Sequence, residues 1–316
     1  MKAWYFHEVG KPLTLEEIPD PVPGPGEVVI RTRAAGLCHS DIGYMDGTLA
    51  SLLGPLPIVL GHETAGVVAE LGAGVTGFRV GDRVAINADV DGPGTLIDGG
   101  FAEKVLARAR ELVRIPDGVD FDQAATATDA GRTSYHAVRT IGRVTGGTRV
   151  GLIGLGGLGM LGAAIAVSAG AEVHAAEINE DVHDRARAIG VRKIVKDVAE
   201  LADDDLEVII DFAGFGTTTA GAIDAVRRKG RVVQVGLARE TATISVQNLV
   251  LKEVQLLGSV TGSNADVAGV LAMIADGTIS AEVTPVPFTE IPAGFDRLIR
   301  GQAHGRLVAH FDDRGR

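Results

Sequence analysis

The chain has 316 residues, 46% of them hydrophobic, with a net charge of −11 and a single cysteine. That length suits two domains with sizeable cores, and the acidic balance without a basic run excludes nucleic acid and an anionic membrane surface as partners. One cysteine excludes an internal disulfide, and residues 1–8 lack the long apolar run of a signal peptide, so a cytoplasmic protein is the expectation.

Residues 1–35 alternate short apolar runs with turn signals. The proline- and glycine-rich residues 19–26 predict a rigid, extended connector. Residues 27–34 then predict a strand with Val28, Ile30 and Thr32 on one face. A second strand is expected at 64–71, followed by a glycine-rich turn at 72–77, and further short strands at 83–86, 101–106 and 111–114. Many short strands punctuated by Gly and Pro argue for a β-rich, barrel-like domain. The chain turns helical over 122–139. From 150 to 260, strands and helices alternate. The strands are expected at 150–153, 171–176, 192–195, 207–211, 231–235 and 254–260, with helices between the first five. Gly190 and the Lys229-Gly230 pair read as helix stops, and Asp203-Asp204-Asp205 as a solvated loop. A helix at 266–274 and a strand at 307–311 complete the chain. Six strands with crossovers make a doubly wound parallel sheet, inserted into the β-rich domain, with its crevice at the switch point beside the first strand.

At that point the residues change from strand to helix through Gly154, Gly156 and Gly159, the spacing G-x-G-x-x-G. Gly154 permits the tight turn, Gly156 lets backbone approach a pyrophosphate, and Gly159 lets helix and strand pack closely. Gly157 and Leu158 open the helix, whose N-terminus offers unpaired N–H groups and a partial positive charge to phosphates. The next strand ends in Glu177, placed to accept from a ribose 2′-OH and to repel a 2′-phosphate. No arginine follows it immediately, which favours NAD(H) over the phosphorylated cofactor. Residues 150–171 are uncharged and long enough to span a membrane. Glycines break the run, however, and no aromatic or basic flank marks an interface, so no membrane segment is expected.

Three further stretches carry chemistry: Gly36-Leu37-Cys38-His39-Ser40-Asp41, Gly61-His62-Glu63, and Asp129 with Thr133 just beyond it. Taken singly they read as a small buried hydrophobe, a satisfied histidine and a helix cap. Together they are collinear with Gly77-Phe78-Arg79-Val80-Gly81-Asp82, with Gly99-Gly100-Phe101-Ala102-Glu103 and with the glycine fingerprint. In that order they resemble the zinc-dependent alcohol dehydrogenases of the medium-chain dehydrogenase/reductase family, over nearly the whole chain.

The resemblance implies an α/β fold, in which a Rossmann NAD-binding domain (130–263) is inserted into a GroES-like β-barrel catalytic domain (1–129 and 264–316). It implies Cys38, His62 and Asp129 as ligands of one catalytic zinc, with Asp129 where relatives often carry a second cysteine. Glu63 matches a carboxylate beside the zinc, and Asp41 one that orients the histidine ligand. Ser40 matches the hydroxyl that bonds the substrate oxygen, Thr133 a residue against the nicotinamide, and Arg306 an arginine near the cofactor pyrophosphate. A thiolate, an imidazole and a carboxylate leave a fourth position open on Zn²⁺. The implied activity is hydride transfer between an alcohol, secondary by preference, and NAD, reversible towards aldehydes and ketones.

Two departures stand out. The interval between Asp82 and Gly99 is short and holds no cysteine, so no structural zinc is expected. Gly43 occupies the place of a relay histidine, so the proton path ends on the cofactor ribose, on water or on another group such as His39, which is counted with the cofactor-binding residues. Zinc-free quinone or enoyl reductases of the same family, and a non-catalytic NAD(H)-binding protein, are the alternatives; neither needs Cys38, His62 and Asp129 together. The relatives form homodimers or homotetramers, often through the strand corresponding to 254–260. The other histidines, His7, His136, His174, His183, His304 and His310, read as structural or surface groups.

Overall fold

A computed structural model describes residues 1–303 and 305–311; His304 lies outside them. The chain divides into two compact units, Met1–Asp129 with Val267–Arg316, and Ala130–Asp266.

The second unit is built on six parallel strands. Their order is Lys193–Val195, Glu172–Ala176, Arg149–Ile153, Val208–Asp211, Arg231–Gln234 and Gln255–Gly258. Val150, Leu152, Val173, Ile209, Ile210, Val232 and Val233 are wholly buried, as expected where helices cover both faces of a parallel sheet. Successive strands leave Arg149–Ile153 in opposite directions, so the switch point lies at its C-terminal end.

Two connections differ from expectation. Between the strands ending at Val195 and beginning at Val208, only a 3₁₀ turn, Val198–Leu201, forms. It is pinned by Asp197, which accepts from the Ala199 N–H, and by Glu200, which accepts from the Asp197 N–H. Conversely, a helix at Val246–Leu251, capped by Ser245, precedes the last strand. Gly190 does end a helix in the left-handed region, but the Thr217–Ala225 helix stops before Lys229 and Gly230, which turn the chain into the next strand. Nor is the acidic run wholly solvated. Asp204 is half-buried and accepts from Lys193 Nζ at 2.9 Å, with His174 Nδ1 at 2.7 Å.

The first unit is centred on the strand Glu27–Gly36. It pairs antiparallel with Glu63–Leu71, Lys104–Arg108 and Arg306–His310 in a seven-stranded sheet. Val28, Ile30 and Thr32, expected on one face, are all buried, but so is Val29 on the other face, while Arg31 is exposed. The strand expected at 101–106 begins at Lys104, since Phe101 and Ala102 turn aside to meet Ala3 and Trp4. A separate three-stranded sheet joins Lys2–Phe6 to Thr14–Glu17 and Ile58–Val59. Helices His39–Asp46 and Ile291–Ile299 are not among the expected elements; the first has no apolar periodicity, whereas in the second Ile291, Phe295 and Leu298 recur at helical spacing. The helical stretch predicted over 122–139 is a run from Phe121 to Ile141 in which Ala127–Gly131 and His136–Ile141 are widened into π-type turns. Among the described residues no helix is long and apolar enough to cross a membrane.

Residues 88–103 cross between strands as a compact loop bonded onto residues 54–61. Gly54 N–H donates to Thr95 O at 2.8 Å, Val59 N–H to Asp98 Oδ1 at 2.8 Å, and Gly100 N–H to Gly61 O at 2.7 Å. The register of the central strand leaves no room for a side chain at its end. Gly36 lies opposite Glu63, and a Cβ at Gly36 would stand 2.1 Å from Glu63 Oε2. Gly36→Ala is therefore expected to lower unfolding stability by about 1–3 kcal/mol through overpacking, as read from denaturant titration. An unchanged midpoint would show that Glu63 moves without cost.

Candidate functional site

Strand register assembles the first cluster. The antiparallel pair Gly36–Glu63 leaves Cys38 two residues past the end of one strand and His62 just before the start of its partner. On the other edge Val308 pairs with Gly36, and Leu37 N–H donates to Leu307 O at 2.9 Å, which brings Arg306 to the same end. Asp129 arrives from the first π-type turn. Such turns occur frequently at functional sites, because the extra residue re-aims a side chain.

The result is a knot of donors. Ligand atoms of Cys38, His62, Glu63 and Asp129 all lie within 4.8 Å of one another, and the first three residues are buried. Cys38 Sγ is 3.4 Å from Asp129 Oδ2 and 3.5 Å from Ser40 Oγ. Asp41, wholly buried, accepts from the Cys38 N–H through Oδ2 at 3.1 Å. Its Oδ1 lies 3.3 Å from His62 Nδ1, an ion-pair distance without hydrogen-bond alignment. Burial works against a charged imidazole here, but Asp41 and Cys38 outweigh it and hold His62 well above its ordinary pKa. Tyr44 meets the same ring edge-on, with centroids 6.5 Å apart. The donor set of one sulfur, one nitrogen and carboxylate oxygens fits a zinc ion.

Arg306, expected near the cofactor pyrophosphate, lies against the carboxylates of this cluster. Its Nε donates to Glu63 Oε2 and its Nη2 to Asp129 Oδ2, each at 2.9 Å, and Nη2 also pairs with Glu63 Oε1. His39 is exposed beside this cluster; burial of its ring surroundings and then the Arg306 charge lower its pKa.

The second cluster lies wholly in the parallel-sheet unit. Gly154 adopts φ +85°, and a Cβ at Gly159 would stand 1.9 Å from Gly154 O, while one at Gly156 would meet nothing within 4 Å. The three glycines thus serve turn, packing and open approach respectively. Gly156 caps the helix Gly157–Ser168 without a side-chain acceptor, leaving the N–H groups of Gly157, Leu158 and Gly159 at its mouth for an anion. Glu177 braces this loop: Oε2 accepts from Leu155 N–H at 2.5 Å and Oε1 from Asn179 N–H at 2.7 Å. Thr133 is buried on the short helix Arg132–Tyr135, whose Ser134 hydroxyl donates to Leu158 O at 2.7 Å.

Comparison with known proteins decides the family. Residues 24–117 match the alcohol dehydrogenase GroES-like domain, and residues 157–276 match the zinc-binding dehydrogenase domain. The chain is 32% identical to an alcohol dehydrogenase of Geobacillus stearothermophilus, over 99% of this chain and 100% of that one. The chain belongs to the zinc-type alcohol dehydrogenases. It is an oxidoreductase that acts on small-molecule alcohols and their carbonyl products. An alcohol dehydrogenase of Moraxella sp. is 30% identical over 98% of this chain and 99% of its own. Among solved structures, the alcohol dehydrogenase of Aeropyrum pernix superposes with a TM-score of 0.90 at 28% identity, covering 98% of this chain and 100% of that one. The acetophenone reductase of Geotrichum candidum, solved with NAD, also gives 0.90, at 30% identity over 99% and 98%. The fold is accordingly the family's GroES-like β-domain with a Rossmann-type sheet.

Motif and spacing do not single out one further residue at the switch point. Asp211 is wholly buried at the end of its strand. Its Oδ1 accepts from the Ala213 and Gly214 N–H groups at 3.0 and 2.8 Å, and its Oδ2 from the Thr218 and Thr219 hydroxyls at 2.7 and 3.0 Å. A carboxylate closing a buried Val-Ile-Ile run is the available signal. Asp211→Asn turns an NH₂ group against these donors, so a loss of about 1–3 kcal/mol of unfolding stability is expected. Denaturant titration would measure it; an unchanged midpoint would mean that the threonine hydroxyls simply reverse.

Proposed function

We propose that this chain is an NAD-linked dehydrogenase of secondary alcohols, reversible towards ketones, working with one catalytic zinc and no structural zinc. The observation that carries the reading is the convergence of Cys38, His62 and Asp129, with Glu63, within 4.8 Å. Zinc held there would supply a Lewis acid, lowering the pKa of an alcohol hydroxyl and polarising a carbonyl oxygen, while NAD would accept or return the hydride.

The chain's own residues divide the remaining work. Asp41 fixes the orientation of the His62 ring. Ser40, beside Cys38, holds the substrate hydroxyl proton. That proton does not pass to residue 43, because a Cβ at Gly43 would stand 2.7 Å from Leu49 Cδ1, and leucine fills the place of a longer side chain. The cofactor ribose, water or His39 receives it instead. Glu177 keeps lone pairs free for a ribose diol while bracing the glycine loop, and its charge repels a 2′-phosphate. Residues 154–159 take the pyrophosphate, and Thr133 supports the nicotinamide side.

A structural zinc in this family's manner needs four cysteines, and the chain has one. The Geobacillus alignment spans 339 positions against 316 residues here, so that relative carries segments this chain lacks. We place the protein in the cytoplasm as a homodimer or homotetramer, assembled through the exposed side of Gln255–Gly258 and the apolar Val250, Leu251 and Val260 nearby. Because the Geotrichum relative is an acetophenone reductase, aryl ketones belong in the first substrate screen beside short secondary alcohols.

Elemental mass spectrometry on protein purified without chelator is expected to find about one zinc per chain. In Cys38→Ala, zinc and alcohol oxidation should be lost together, the latter by about 10³-fold or more, with NADH binding retained. Zinc near zero in an active wild-type protein would refute the zinc centre and favour a quinone or enone reductase. Separately, kcat/KM for NAD should exceed that for its 2′-phosphorylated form by at least about tenfold. Glu177→Gln should narrow the ratio, and a preference for the phosphorylated cofactor would refute the role given to Glu177.

A further inference from the structure

The position of Arg306 is not explained by cofactor binding alone. Its side chain is 9% exposed, and it sits between the two carboxylates of the metal cluster, bonded to Glu63 through Nε and to Asp129 through Nη2. Glu63 is wholly buried and Asp129 largely so. With Asp41 and the Cys38 thiol nearby, the cluster gathers acidic groups in a space where water screens poorly. An opposing positive charge stabilises such a set, and Arg306 is a permanent cation in contact with it. A divalent ion drawing on the same oxygens meets that guanidinium at close range.

Resting on the zinc reading above, we propose that Arg306 is the resident counter-charge of the metal centre. It holds Glu63 and Asp129 in place when metal is absent, and it competes with metal for their oxygens when metal arrives. The arginine therefore trades affinity for a preformed site. Metal-free chain keeps its ligands gathered, and the ion binds more weakly and exchanges more readily than the donors alone would allow. The Cys38 and His62 donors lie outside the fork and are not contested. This also gives Asp129 a reason to be a carboxylate: a cysteine thiolate there would be a poor match for a guanidinium fork.

The test is a chelator-competition titration with zinc alone, on the full chain, for wild type, Arg306→Gln and Arg306→Lys, alongside metal-free melting temperatures. Arg306→Gln is expected to bind zinc at least about tenfold more tightly, because a buried like charge is gone. Its metal-free melting temperature should fall by roughly 5–10 °C, because two buried carboxylates lose their partner. If the metal-free Gln variant does not fold, Arg306→Lys decides. It keeps the charge but gives up the two-sided fork, so its zinc affinity must rise by about threefold. Unchanged or weaker zinc affinity in the folded variants, with wild type binding zinc, overturns the inference and leaves the zinc reading standing. A wild type that takes up no zinc overturns both.

Discussion

The pairing of Glu27–Gly36 with Glu63–Leu71 is the constraint on which the metal cluster depends. The pair accommodates two local register shifts, after Val29 and after Thr32, and beyond them Ala34, Ala35 and Gly36 stand in unbroken register with Ala65, Thr64 and Glu63; a further slip of one residue there would send those side chains to the other face. Held as it is, it sets Gly36 opposite Glu63, so that the residues just beyond one strand end and just before the other strand start face a common space. The absence of a side chain at Gly36 is part of the same device, since the Glu63 carboxylate occupies the volume a Cβ would need. Arg306–His310, paired along the other edge of the central strand, then brings a cation to the same end. A handful of ladder hydrogen bonds thereby concentrates residues from three distant parts of the chain, and Asp129 joins them from its π-type turn.

That concentration creates an electrostatic problem with several partial answers. Asp41 spends one oxygen on the Cys38 N–H and turns the other towards His62, Glu63 forks with Arg306, and Asp129 shares Arg306 while approaching the Cys38 sulfur. Each acid has a nearby positive or donating partner, so none is stranded as an uncompensated buried charge. The parallel-sheet unit solves an analogous problem with backbone N–H groups and threonine hydroxyls in place of a cation. Asp211 gathers four donors to set the turn after its strand, and Glu177 clamps the glycine loop through Leu155 N–H. In both units a buried or braced carboxylate fixes a loop through its backbone N–H groups.

How much of this can be read beforehand depends on whether the information is local. The six parallel strands lie within a residue or two of their expected positions, because buried parallel strands write themselves as unbroken Val, Ile and Ala runs. The glycine fingerprint is equally local, and its three steric roles reappear in the contacts at Gly154, Gly156 and Gly159. The helix Val246–Leu251 and the 3₁₀ turn Val198–Leu201 escape sequence reading because short segments carry too few periods to separate helix from turn. The metal cluster is legible only through resemblance: no spacing rule relates Cys38 to Asp129, 91 positions on. The contacts of Arg306 with Glu63 and Asp129 are not legible either, because the sequence does not reveal that its strand pairs beside Gly36. The partial burial of Asp204 likewise depends on His174 and Lys193, which reach it from neighbouring strands.

The compact loop of residues 88–103 carries a consequence of a different kind. Where a metal-bearing lobe would need four thiolates, this loop is fastened by backbone hydrogen bonds and the Asp98 carboxylate, groups indifferent to oxidants and to thiol reagents. All of the chain's thiol chemistry is thus concentrated in Cys38, a buried sulfur at the centre of the metal cluster. Structural integrity of the surrounding domain and redox state of the centre become separate properties. Oxidation of this protein's thiol would register as a change in the Cys38, His62, Glu63 and Asp129 cluster, with no second thiol through which it would loosen the fold.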